Sequence, residues 1–203
     1  MQNSTKSRGR PRAYDPETAL TKMGEVFWTK GYAATSLDDL STASGMNRPS
    51  LYNAFGEKAD VFRAVLVHYA DIIRPRYEAA FLAPGSLRDT LRAVFDTAFE
   101  IYREFDPRGL GCMLIGAALT DAVRDTGVGT TIRDQLHEMD KGFLWRLKKA
   151  QREGELKPEA DVKALAMMAS AAHSTLSVRM RAGATDAELR AFVDQMIGLI
   201  CGF

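Results

Sequence analysis

Long apolar runs, clustered cysteines and an excess of either charge are all missing from this sequence of 203 residues. No stretch reaches the roughly 18 apolar residues that a membrane-spanning helix needs, and none follows the N-terminal basic residues as in a secretory leader. Cys112 and Cys201 stand far apart, without the spacing of metal ligands or of a disulfide framework. The three histidines form no cluster with them. We therefore expect a cytoplasmic protein with no membrane partner, no metal and no cofactor.

The residue patterns of common enzyme active sites are missing as well. We find no paired carboxylates, no nucleophile elbow and no histidine at a catalytic spacing from a cysteine or aspartate. The segment GVGTT at 127–131 faintly resembles a phosphate-binding loop, but it lacks the lysine and follows no predicted strand. The sequence therefore predicts a protein that is not an enzyme, and leaves a helical scaffold as one alternative.

The formal net charge is only +1, but the basic residues are unevenly distributed. Residues 1–12 contain Lys6, Arg8, Arg10 and Arg12 and no acidic residue. Such a segment is either a solvated terminus or a basic arm that becomes ordered on nucleic acid. The charge pattern alone does not decide between the two.

Helix-breaking residues divide the chain into about nine helical segments, and no segment has the period-two alternation of a strand. The first segment begins at Asp15-Pro16, and Gly31 is expected to end it. Pro75 is expected to kink or end the fourth segment near Ile73. The fifth closes at 106–107, and the last four are predicted at 109–124, between Gly129 and Gly154, at 158–181 and at 186–199. The predicted fold class is all-α.

Two of the predicted segments are very short and are joined by a tight turn around Gly45. Ser36 is a suitable N-cap for the first, with Asp39 three residues later, and Asn47 is a suitable N-cap for the second. Two short helices joined in this way are typical of a helix-turn-helix, whose second helix enters the major groove of DNA. Neither helix would be stable alone, so the longer helices on either side must supply the core.

Polar side chains at and near these short helices are suited to contact double-stranded DNA. Arg48 can donate to a phosphate or a guanine, and the Tyr52 hydroxyl can reach a phosphate. The full set of candidates is Thr35, Ser36, Asn47, Arg48, Ser50, Tyr52, Asn53 and Lys58. The alternative is that Tyr52 is a core aromatic residue and the others are solvated surface. The helix-turn-helix and the basic arm together favour DNA binding.

The stretch GYAATSLDDLSTASGMNRPSLYNAFGEKADVF resembles the N-terminal motif of TetR-family transcriptional regulators, over about residues 14–63. The matching positions are Gly31-Tyr32, Thr35-Ser36, Leu37, Ala43-Ser44-Gly45, Leu51-Tyr52-Asn53-Ala54-Phe55 and Lys58. The resemblance implies a homodimer with a flexible basic arm (1–13), a DNA-binding domain (14–56) and a helical regulatory domain (57–203) that binds a small-molecule effector and forms the dimer. It also implies Pro49, a variable position in the family, as a DNA contact beside the candidates above. The charge pattern adds the arm residues Arg8, Arg10 and Arg12 as candidate DNA contacts. Repression that ends when the effector binds is the usual outcome in this family.

The last two predicted helices have wide apolar faces with many small residues. These faces are either ordinary packing within the chain or a dimer interface in which two helices from each subunit form a four-helix bundle. The family resemblance favours the second. The predicted interface residues are Leu165, Ala169, Ala172, Leu176, Leu189, Phe192, Val193, Met196 and Ile197.

A ligand pocket is expected among the fourth to eighth helices, although most apolar residues there could equally be core. The candidates are Phe99, Tyr102, Leu110, Cys112, Met113, Leu114, Phe143, Trp145, Met167 and His173. Cys112 is predicted in the first turn of the sixth helix, where the helix N-terminus would lower the pKa of the thiol. The alternative function is therefore a redox- or electrophile-sensing regulator, against a reading of Cys112 as a small buried apolar residue.

Overall fold

The structure, a computed structural model, describes residues 14–105, 109–120 and 126–202. Across these ranges it contains nine α-helices and no strand, which confirms the all-α prediction. The helices are α1 (Pro16–Ala34), α2 (Leu37–Ser44), α3 (Arg48–Phe55), α4 (Lys58–Leu82), α5 (Leu87–Phe105), α6 (Met113–Thr120), α7 (Thr126–Arg152), α8 (Val162–Arg181) and α9 (Asp186–Ile200). No helix in the described ranges is long and apolar enough to cross a bilayer.

The caps predicted for the first three helices are present. The Asp15 side chain accepts a hydrogen bond from the Thr18 amide at 2.9 Å, and Ser36 and Asp39 form a reciprocal capping box at the start of α2. Gly45 takes a left-handed conformation, with φ 69°, and ends α2. Gly31 was expected to end α1; instead its φ of 77° kinks the helix, which continues to Ala34.

A shared aromatic core holds α1, α2 and α3 against the first half of α4. The Phe27 and Phe62 ring centroids are 4.8 Å apart, and those of Trp28 and Tyr69 are 5.6 Å apart. Leu40 and Leu51 are buried residues of α2 and α3. Because each short helix buries so little of its own surface, α1 and α4 provide most of the surface on which they pack.

Pro75 does not end α4, which was one of the two outcomes predicted for this position. The helix continues through Pro75 to Leu82, and Pro75 itself is exposed. Ile73 and Tyr77, on either side, are both buried. Packing of these neighbours stabilises the helix across the position where proline removes a hydrogen bond. As a result α4 is one element that packs on α1 near its start and on α5 and α7 further along.

The boundaries of α6, α7 and α8 also differ from the predictions. Gly109 and Gly111 have φ values of 83° and 71°, so α6 begins only at Met113. Gly127 and Gly129 were expected to separate two helices, but both lie inside α7. The start of α8 is at Val162, capped by Asp161, rather than near Pro158. The predicted ends at 106–107 and 124 lie outside the described residues.

Candidate nucleic-acid interface and cavity

The recognition surface is defined here as the exposed side chains at the start and along the outer face of α3. Leu51 is the buried residue of this helix, and the predicted contacts Arg48, Pro49, Ser50, Tyr52 and Asn53 are all exposed. Tyr52 is 59% exposed, which excludes the alternative that it is a core aromatic residue. The geometry therefore presents a compact polar face on a rigid support.

Helix caps fix the ends of this surface. The exposed Asn47 side chain accepts a hydrogen bond from the Ser50 amide at 2.9 Å, and Ser36 is exposed within the capping box of α2. Thr35 is buried, and its hydroxyl donates to the Gly31 carbonyl at 2.7 Å. Thr35 therefore stabilises the kink in α1. Ser36 and Asn47 lie at exposed helix starts, where backbone N–H groups can donate hydrogen bonds to a phosphate.

An ion pair links α2 to the first residue of α3. Arg48 Nε donates to Asp38 Oδ1 at 2.6 Å, and a second guanidinium nitrogen donates to Asp38 Oδ2. Both side chains are mostly exposed. The hydrogen bond from Arg48 lowers the pKa of Asp38, which keeps this carboxyl ionised. Sequence analysis did not identify Asp38, because its partner lies ten residues away on another helix.

Other cations near the recognition surface also have partners. Lys30 Nζ lies 2.6 Å from Asp39 Oδ1, which contributes to a lowered pKa of the Asp39 carboxyl. Lys58 Nζ lies 4.4 Å from the centre of the Tyr32 ring, in a cation–π contact. Arg8, Arg10 and Arg12 fall outside the described residues. In the described part of the chain, Lys30 and Lys58 are therefore held in position by Asp39 and Tyr32.

A cavity of about 350 Å³ lies further along the molecule, between α4, α6, α7 and α8. Its buried wall includes Tyr77, Phe81, Cys112, Ile115 and His173. At the open side are exposed charged residues of α4 and α7. The volume falls within the range of small-molecule sites in proteins.

His173 and Tyr77 form a polar pair in the wall of this cavity. His173 Nε2 lies 3.0 Å from the Tyr77 hydroxyl oxygen, and the two rings meet edge to face. Burial lowers the pKa of His173 to about 4, because the charged imidazolium would lose its hydration. The imidazole is therefore neutral at physiological pH.

Cys112 lies just before α6 rather than in its first turn. Its amide donates to the Ser177 hydroxyl at 2.7 Å, and the Tyr69 hydroxyl lies 3.9 Å from its sulfur. Burial raises the pKa of the Cys112 thiol and outweighs the amides of the following helix, which lower it. The prediction of a lowered thiol pKa was therefore wrong.

Comparison with known proteins identifies the family. The family model described as "Bacterial regulatory proteins, tetR family" matches residues 24–65, which contain α2 and α3. The HTH-type transcriptional repressor ComR of Escherichia coli (strain K12) is 34% identical over 182 residues, covering 89% of this chain and 86% of ComR. The chain belongs to the TetR family of bacterial regulatory proteins. It is therefore a DNA-binding transcriptional regulator, as the helix-turn-helix and its motif predict.

Further relatives extend the TetR-family match along the chain. The uncharacterized HTH-type transcriptional regulator YezE of Bacillus subtilis (strain 168) is 28% identical over 193 residues, which cover 95% of this chain and 99% of YezE. A cysteine mutant of the TetR-family regulator CifR, solved with 26bp double-strand operator DNA, superposes with a TM-score of 0.82 at 32% identity. That match covers 93% of this chain and 98% of CifR.

Four of the predicted ligand contacts, Cys112, Leu114, Trp145 and His173, line the cavity of this TetR-family protein. The others do not line it. Phe99, Tyr102 and Phe143 are core residues, and Met113 packs towards α1. Leu110 is half-buried, and Met167 is 74% exposed. Sequence analysis missed Tyr77 and Phe81, which line the cavity from α4. Aromatic residues on the predicted fourth helix were the available signal.

Seven of the nine predicted dimer-interface residues face inward, which corrects the choice of helix face for those seven. Leu165, Ala169, Ala172, Leu176, Leu189, Val193 and Ile197 are buried within one chain, and Phe192 and Met196 are partly buried. In this conformation the buried ones offer little surface to a second copy. The large exposed apolar side chains of these helices are Met167, Met168 and Val178 on α8 and Leu199 on α9. Among the described residues, no group of three or more histidine, cysteine or acidic side chains could hold a metal ion.

Proposed function

We propose that this TetR-family regulator is a cytoplasmic operator-binding repressor that releases DNA when a small molecule enters the cavity. The exposed polar face of α3 carries the proposal: one residue of the helix is buried, while Arg48, Tyr52 and Asn53 point outward. Relatives named as transcriptional repressors and a relative solved with operator DNA support the same role. Residues 14–56 would form the DNA-binding domain and 57–203 the regulatory domain, preceded by a basic arm at 1–13.

Operator recognition by this protein would require two copies of α3. Helix-turn-helix dimers bind half-sites about one helical turn of DNA apart, so their two recognition helices must be held at a fixed distance. The exposed apolar stripe of Met167 and Val178 on α8, with Leu199 on α9, offers a self-complementary surface for a four-helix interface. We assign the homodimer contact to this stripe.

The helix α4 would couple the cavity to DNA. Its start packs on α1, and Tyr77 and Phe81 in its second half line the cavity. A ligand that binds better to one position of α4 would favour that position and so change the spacing of the two recognition surfaces. A ligand with equal affinity for both positions would leave DNA binding unchanged.

The test is a double substitution, Arg48→Ala with Tyr52→Ala, assayed by footprinting on the DNA that flanks the protein's own gene. Both side chains are mostly exposed, so circular dichroism should not change while operator protection disappears. Arg190→Ala on α9, an exposed residue outside the recognition surface, is the matched control and should retain protection. Unchanged protection by the double variant would refute the assignment.

Thiol sensing through Cys112 is the second candidate function. Its support is location, because Cys112 lines the cavity. The raised pKa opposes it, because a buried neutral thiol is a poor nucleophile. The Cys112→Ser variant should therefore retain its response to the effector, and loss of only the response to oxidants would favour thiol sensing instead.

A further inference from the structure

The polarity of the cavity wall changes sharply from its mouth to its inner end. Every described lining residue that carries a formal charge is exposed: Arg74 and Glu78 on α4, and Glu138 and Lys141 on α7. Three of these four have close partners, because Arg74 lies 2.9 Å from Asp71 and Lys141 lies 2.7 Å from Glu138. The mouth therefore carries both signs of charge, and much of that charge is already paired.

The inner end has no charged side chain among the described lining residues. Its buried members are aliphatic or aromatic, apart from the Cys112 thiol, the Tyr77 hydroxyl and the His173 imidazole. An ionised ligand group placed here would lose its hydration without gaining a counter-ion. An uncharged group would lose much less.

The polar pair of Tyr77 and His173 can satisfy one uncharged polar group. The Tyr77 hydroxyl has one hydrogen and two lone pairs, so one position remains for a ligand after His173 and the neighbouring Tyr102 hydroxyl are counted. The surroundings of His173 oppose its use as a cation, because the rings of Phe95, Phe143 and Tyr77 lie about it. A carboxylate that paired with His173 would first have to protonate the imidazole among these rings.

We propose that the effector of this regulator is a compact, uncharged and mainly apolar molecule with one hydroxyl or carbonyl oxygen, bound with that oxygen towards Tyr77 and His173. The volume of about 350 Å³ sets its size at the small end of known ligand sites. The assignment rests on the proposed function, in which occupation of this cavity controls DNA binding.

A matched pair of probes separates charge from shape. The two probes are the neutral ketone 4-phenyl-2-butanone and the anion 3-phenylpropionate. They have the same phenylethyl group and carbonyl carbon, and the methyl group of the ketone is replaced by a charged oxygen in the carboxylate. Trp145 lines the cavity, and the chain has only two tryptophans, so binding can be followed by Trp145 fluorescence as well as calorimetry. The Trp145→Phe variant identifies the signal, and Ser174→Phe, which places a ring in the cavity, should block binding.

At neutral pH, the ketone is expected to bind at least about tenfold more tightly than the carboxylate. The Ser174→Phe variant should bind neither probe, and it should still protect its operator. Tighter binding of the carboxylate, equal binding of both, or binding of neither at millimolar concentration would overturn the assignment of an uncharged effector. Operator protection measured with each probe tests the proposed function separately. If the ketone binds and DNA is not released, the proposed regulation fails while the ligand class stands.

Discussion

The ion pair between Asp38 and Arg48 places a carboxylate next to the arginine that opens the recognition helix. Arg48 must either bring this carboxylate close to DNA or exchange it for a phosphate or base. In both cases Asp38 limits how strongly Arg48 attracts any DNA, whatever its sequence. We expect Asp38→Asn to strengthen binding to random DNA more than binding to the operator, so that discrimination falls.

The size of the effect follows from counterion release. Each phosphate that a cation neutralises steepens the plot of log affinity against log salt by about 0.9. A dimer has two copies of Arg48, so release of both from Asp38 should steepen the slope by about 1.8 on random DNA. Neither residue contributes to the buried core, so the free energy of unfolding should stay within about 0.5 kcal/mol of the original.

The assay is a salt titration of affinity on operator and on random duplex of equal length, by fluorescence anisotropy. Asp96→Asn is the matched control, because Asp96 also pairs with an arginine, Arg190, on an exposed surface outside the helix-turn-helix. The control should leave both slopes unchanged. An unchanged slope for Asp38→Asn, or weaker binding to both duplexes, would show that Asp38 does not restrain Arg48.

Three further predictions concern the rest of the chain. Val178→Asp should reduce the mass measured by sedimentation from twice 22.4 kDa to 22.4 kDa. Val67→Asp on α4 is the control, because Val67 has the same 42% exposure, and it should leave the mass unchanged. A dimeric Val178→Asp protein would exclude the proposed interface. The Cys112 thiol is buried and its pKa is raised, so we expect it to react slowly. In a Cys201→Ser variant, an aromatic disulfide reagent should label Cys112 only after denaturation. Rapid labelling of the native protein would contradict this expectation. The pKa of His173 falls from 6.5 to about 4 on folding. Between these pH values the unfolded chain binds a proton that the folded chain does not. The stability that is present above pH 6.5 is therefore lost as the pH falls towards 4. The loss is about 3 kcal/mol at most, measured by urea unfolding, and His173→Gln should remove it.

The N-terminal part of the molecule could be predicted from sequence because its signals are local. Ser36 with Asp39, and Asn47 with Ser50, are caps within one helical turn, and Gly45 ends α2 by a conformation that favours glycine. These features set where the two short helices begin and end, and packing on α1 and α4 then stabilises them.

The parts that could not be predicted depend on contacts between distant segments. Pro75 remains helical because its neighbours are buried by other helices, and the glycines at 127 and 129 lie inside α7. The apolar residues of α8 and α9 were recognised, but periodicity alone could not tell which of them face the chain's own core and which face outward. The link from Asp38 to Arg48 depends on the angle between two helices, which no spacing in the sequence specifies.

Close packing at Gly24 joins the two halves of the chain. A Cβ at this position of α1 would lie 3.2 Å from Val65 Cγ1 and 3.3 Å from Met113 Cε, and Met113 directly follows Cys112 in the cavity wall. A single peptide bond therefore separates a residue that an occupant would touch from a residue that abuts the first helix. In chimeric regulators that graft these N-terminal helices onto another sensor half, a larger residue at position 24 would require the facing side chains to shift by a few tenths of an ångström.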